Sequence, residues 1–111
     1  MKTNLTALSL NAVRKMADAA ETEARKLGVN VGIAVVAADS SIFFTRSMDH
    51  VDGILARNVM VRAQKALETK QNNDAEFIKN ISGNLGAIVI DGADATINKQ
   101  CMQAALHAIA G

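Results

Sequence analysis

The chain has 111 residues, half of them hydrophobic, with 12 basic side chains against 11 acidic ones. That length fits one domain, 1–111, and supplies enough apolar material to hide roughly two-thirds of the unfolded surface. Balanced charge, three Phe and no Trp or Tyr exclude the concentrated basic surface and stacking aromatics that a nucleic-acid partner requires, and no run approaches the ~18 apolar residues of a membrane span.

The first element in chain order is a helix. Ser9 can cap it, and Val13, Met16, Ala17, Ala20, Ala24 and Leu27 recur at three- and four-residue spacing. Arg14, Asp18, Glu21 and Arg25 fall on the other face, and Gly28 sits where a helix ends in a left-handed residue. Val29 to Ala38 then reads as a strand with no polar face, hence central and covered on both sides. Asp39-Ser40-Ser41 is a turn, and Ile42 to Arg46 returns as a second strand of a hairpin.

Met48 to Gly53 is a polar connection, after which Asp52 can cap a second helix with a stripe of Leu55, Val59, Ala63, Ala66 and Leu67. Lys70 to Asp74 breaks the pattern, and Ala75 to Ile81 reads as a short helical turn. Leu85 to Ile90 is a third strand, Asp91 to Asp94 a loop, and Asp94 or Thr96 a cap for the last helix. Its inward stripe is Ile97, Cys101, Ala104, Ala105, Ala108 and Ile109. A hairpin under helices predicts an α+β layered domain around a thin antiparallel sheet of three strands. Apolar residues on both faces of the central strand favour self-association, so a homo-oligomer, a dimer or larger, is expected.

In this order the chain resembles the GlcG/HbpS/PduO C-terminal family, the haem-binding and corrinoid-associated DUF336 type. Four segments carry the likeness: Leu10 to Met16 with Ala19-Ala20-Glu21 and Lys26 to Val29; Ile33-Ala34-Val35-Val36; Arg46 with Met48-Asp49 ahead of Ala63-Gln64-Lys65-Ala66; and Gly86 to Ala93 followed by Cys101 and Ala104-Ala105-Leu106. The resemblance implies a profilin-like sheet flanked by helices, assembly into dimers or rings, and binding of haem or a related tetrapyrrole. Glu68 to Leu85 is shorter than the family's corresponding stretch by about thirty residues, room for one or two strands. A shortened member with a reduced sheet is therefore expected. The hairpin turn Asp39-Ser40-Ser41 also lacks the family's glycines.

Within that frame the loop after the second strand is the expected cofactor site. A neutral imidazole at His50 is a good axial ligand for haem iron, and Met48 offers a thioether beside it. Asp49 could orient His50, and Arg46 fits a haem propionate. A solvated loop histidine is the plain alternative. His107 follows Gln100 and Gln103 on the polar face of the last helix, where a surface role is expected. Cys101 lies on the apolar stripe and reads as a small hydrophobe. Asp91 and Asp94 read as caps rather than metal ligands.

One cysteine makes neither an internal disulfide nor a zinc site. No apolar stretch of signal-peptide length follows Met1-Lys2-Thr3-Asn4-Leu5, so the expected setting is cytoplasmic and reduced. The leading reading is an oligomeric tetrapyrrole-binding accessory protein. Its rivals are a shortened assembly subunit that has lost the ligand, and a small enzyme of glycolate or diol metabolism with Asp49 and His50 as acid and base.

Overall fold

The computed structural model describes residues 2–71 and 74–111. The elements are α1 (Leu10–Lys26), β1 (Gly32–Ala37), β2 (Phe43–Ser47), α2 (Gly53–Thr69), β3 (Glu76–Asn80), β4 (Gly83–Asp91) and α3 (Ala95–Ala108). The four strands form one sheet in the order β2-β1-β4-β3, every neighbouring pair antiparallel.

The ends of α1 follow from local chemistry. Ser9 Oγ accepts the Ala12 amide at 3.1 Å, which satisfies one of the orphan donors of the first turn. At the other end Gly28 takes a φ of +71°, its amide donates to Arg25 O, and the Val29 amide donates to Ala24 O at 3.0 Å. That pair of bonds closes the helix on a left-handed residue. Leu27 is the cap residue and is partly exposed, outside the stripe the spacing predicted.

All six residues of β1 are buried, as its lack of a polar face predicted. Ile33 and Val35 point with Ile88 and Ile90 into a core shared with α1 and α3, among Val13, Met16 and Cys101. Ala34 and Val36 point the other way with Ala87 and Val89, against Val59, Ala63 and Ala66 of α2. The period-two alternation of strands thus splits one apolar segment between two cores. The layers are α1 and α3 on one face of the sheet and α2 on the other, the α+β arrangement expected from the element order.

The region Ala75 to Ile81 differs from expectation. It is no helical turn but the edge strand β3, so the sheet has four strands where the pattern gave three. Asn80 Oδ1 accepts the amides of Ser82 and Gly83, each at 2.9 Å, and closes a two-residue connection between Asn80 and Gly83. Phe77 then packs in the α2 core while Ile78 enters the α1–α3 core. Pairing with β4 decides this segment, because five residues carry too little periodicity to choose between strand and helix. Part of the expected break at Lys70 to Asp74 falls on Asn72 and Asn73, which lie outside the described residues.

The last helix starts as predicted, with Asp94 Oδ1 accepting the Ile97 amide at 2.9 Å. Its buried face is Asn98, Cys101, Met102, Ala105 and Leu106; Ala108 is exposed and Ala104 half-buried. Spacing placed Cys101 and Ala105 inward and Gln100 and His107 outward, as found, but gave no reason for a buried Asn98. The Asn98 side chain is satisfied there by both backbone groups of Ala93 in the loop ahead of the helix.

Candidate functional site

The stretch Arg46 to His50 is built on the end of β2. Arg46 and Met48 lie on the α1–α3 side, two residues apart. The Arg46 guanidinium donates to Asp18 Oδ1 of α1 at 2.6 Å and lies 5.6 Å from the centre of the Phe44 ring. Met48 is half-buried against the α1–α3 core. Its amide donates to Val31 O at 3.0 Å, and the Val31 amide approaches its sulfur at 3.5 Å. The thioether is therefore occupied by the end of β1, and Arg46 by Asp18.

Beyond Met48 the chain turns sharply. The Val51 amide donates back to Met48 O at 3.3 Å, and His50 adopts a φ of +65°, uncommon for a residue with a Cβ. Asp49 and His50 are exposed. Asp49 lies close enough to the C-terminal end of α1 to act on Arg25, whose guanidinium is held above its ordinary range chiefly by the hydrogen bond and charge of Glu21, and only lastly by Asp49. The four residues singled out from sequence thus share one corner, but Arg46 and Met48 are engaged by the fold while Asp49 and His50 face outward.

A second cluster was not read from the sequence as a unit. Arg62 of α2 reaches Asp91 at the end of β4, with Nη1 to Oδ2 at 2.7 Å. Asp91 Oδ1 accepts from the Asn98 side-chain amide at 3.1 Å and from the Gly92 amide at 2.7 Å. Asn98 also exchanges bonds with both backbone groups of Ala93. Burial pushes the Asp91 carboxyl up, yet the Arg62 hydrogen bond, the Gly92 amide, the Arg62 charge and Asn98 outweigh it and hold the group below its ordinary value. Asp91 was expected to cap α3 beside Asp94; only Asp94 does so, and Asp91 instead ties α2 and α3 to the end of the sheet. Its partners lie 29 and 7 residues away, a juxtaposition that no local spacing encodes.

Beside this cluster opens a cavity of about 490 Å³, with Ile90 and Met102 among its walls and Arg62, Glu76 and Lys99 among its polar groups. A more open groove of about 690 Å³ runs along the outside of α3, bounded by Glu23 of α1 and by Lys99, Gln103, Ala104 and His107. Both volumes lie within the usual range of small-molecule sites. Neither is lined by residues 46–50. Among the described residues there is no group of three or more His, Cys, Asp or Glu side chains able to hold a metal ion, and no helix long and apolar enough to cross a membrane. Cys101 is buried, and burial followed by the charge of Glu23 raises its thiol above the ordinary range, the condition of an inert packing residue.

No family model and no curated protein matches the chain. Among solved structures it is similar to PduOC in a crystal structure of its heme complex, with a TM-score of 0.82 and 17% identity over 94% of this chain and 96% of that one. It is similar to ORFY of Klebsiella pneumoniae, a DUF336 protein, with a TM-score of 0.82 and 17% identity over 98% and 95%. HbpS gives a TM-score of 0.76 and 20% identity over 98% and 94%, and a double mutant of HbpS from Streptomyces reticuli gives 0.78 and 19% over 98% and 91%. At these identities the likeness is one of fold, and it is the fold the resemblance implied.

Proposed function

We propose that this chain is a small accessory protein that binds haem or a related tetrapyrrole and works as a homo-oligomer in a reduced, cytoplasmic setting. The observation that carries the reading is the shared fold with PduOC, a protein crystallised with heme, over nearly the full length of both chains. The rival reading of a ligand-free assembly subunit rests on the roughly thirty residues expected to be missing between Glu68 and Leu85, and the titration below separates it from this one.

In this reading His50 supplies the iron ligand. Its imidazole is exposed on a turn, and a single donor suits an iron already enclosed by a macrocycle. When bound, the group would supply the visible absorption and whatever redox chemistry its iron performs. Asp49, next in the turn, orients the imidazole. Arg46 can meet a propionate only by giving up Asp18, whose side chain is 70% exposed and readily hydrated in exchange. Met48, held against Val31, acts as a wall of the corner rather than a second ligand.

A haemin titration followed by absorption, run beside His50→Ala, tests this. The expected result is a saturable, shifted Soret band whose affinity the substitution lowers by at least about tenfold, a loss of about 1.4 kcal/mol. A saturable band unchanged in His50→Ala removes the ligand from this corner. A featureless titration of the unmodified protein overturns the tetrapyrrole reading itself.

A further inference from the structure

The exposed face of α3 is unusual in its charge. Thr96, Lys99, Gln100, Gln103, Ala104 and His107 form one stripe directly opposite the buried Asn98, Cys101, Met102, Ala105 and Leu106. The helix contains no acidic residue, and Lys99 is its only Lys or Arg. A helix face turned to water carries charged and polar residues together, whereas depletion of charge marks the centre of a protein interface. We infer that this face is where two copies of the chain pair, α3 against α3, antiparallel across a two-fold axis.

The stripe is self-complementary in that arrangement. With the axis between Gln100 and Gln103, each Gln100 faces the second copy's Gln103, and side-chain amides can both donate and accept across the contact. Thr96 then faces the second copy's His107, so a hydroxyl meets an imidazole. Lys99 faces Ala104, whose small side chain leaves room for the aliphatic stem of the lysine. The carboxylate bounding the same groove is Glu23 of α1. Lys99 makes no ion pair within its own chain among the described residues, and Glu23 has only Lys26 at 3.7 Å. A two-fold contact therefore offers each copy's lone cation the other copy's carboxylate, which is the isologous pattern of a closed dimer. From Thr96 to His107 the stripe runs about 16 Å, three helical turns.

This deepens the oligomeric part of the reading above and does not depend on the ligand. The test is sedimentation equilibrium of the full chain across the micromolar range. The unmodified protein should exceed its 11.7 kDa monomer mass. Lys99→Glu and, separately, Ala104→Glu should raise the dissociation constant at least tenfold, while Val61→Glu on the exposed side of α2 should not. Lys99→Glu combined with Glu23→Lys should restore association, which a merely misfolded variant would not show. An oligomer indifferent to Lys99→Glu and Ala104→Glu overturns this surface but leaves oligomerisation standing. A monomer at every concentration overturns both, and the haemin titration reads the ligand independently in either case.

Discussion

Asp91 shows how one side chain joins three elements. Its carboxylate takes bonds from α2 through Arg62, from α3 through Asn98, and from its own following amide. Hydrogen bonds to charged groups contribute about 1.5–3 kcal/mol each when well formed, but with the carboxylate about three-tenths exposed and the Arg62 side chain similarly so, Asp91→Asn is expected to cost only about 1–2 kcal/mol in urea unfolding at neutral pH. The pH dependence has a fixed sign. The folded carboxyl sits below its ordinary value of 3.8, so its contribution is complete above that value and disappears as pH falls through the lower folded one. The stability gap between the native chain and Asp91→Asn should accordingly narrow in that acid window. A gap of the same size on both sides of it would mean that the ion pair does not act as described.

Gly86 gives a second residue-scale expectation. A Cβ there would run into the carbonyl oxygen of Val36 and lie 2.9 Å from Leu8 Cδ1. Backbone cannot yield as a flexible side chain does, so Gly86→Ala is expected to destabilise by about 1–3 kcal/mol. Equal denaturation midpoints for the two proteins would show that the strands part without strain.

Among the elements, β3 carries most information, because it exists only by virtue of its neighbour. Its inward residue Ile78 is 1% exposed, whereas Ile81 in the connection to β4 is 90% exposed. Ile78→Ala should therefore cost about 2–4 kcal/mol through lost burial and a residual cavity, and Ile81→Ser should stay within about 0.5 kcal/mol. Had the segment been the helical turn suggested by its spacing, the two isoleucines would lie three apart on one face, and both substitutions would be felt. The cap of α2 makes a comparable test of local signals. Asp52 accepts the amides of Ile54 at 2.7 Å and Leu55 at 3.3 Å, so Asp52→Ala should lower stability by about 1 kcal/mol.

For the whole molecule, two apolar cores sandwich one sheet, the α2 side built of Ala and Val and the α1–α3 side also of Ile, Leu and Met. The exposed hydrophobic side chains are dispersed: Ile54 and Val61 on α2, Phe43 on β2, Leu10 on α1. The low-charge face belongs instead to α3, and the outward imidazole of His50 to the β2–α2 corner. In the proposed reading, ligand binding and self-association draw on different residues. His50→Ala should weaken haemin binding and leave the sedimenting mass unchanged; a loss of both together would place the ligand within the interface.

Local chemistry in the sequence determined what needs only nearby partners: the Ser9 and Gly28 ends of α1, the Asp52 and Asp94 caps, and the apolar runs of β1 and β4. Those signals, in their order, also sufficed for the layered α+β class. They placed His50, Asp49, Arg46 and Met48 in one corner, as four residues within five positions must be. Tertiary contacts alone decided the rest. Arg46 and Met48 are engaged because Asp18 and Val31 arrive from other elements, Ala75–Ile81 becomes a strand because β4 offers an edge to pair, and α3 turns Asn98 inward because a loop's backbone needs its amide. Each depends on a partner outside the element itself, and periodicity, which records only the neighbours within one element, carries no information about it.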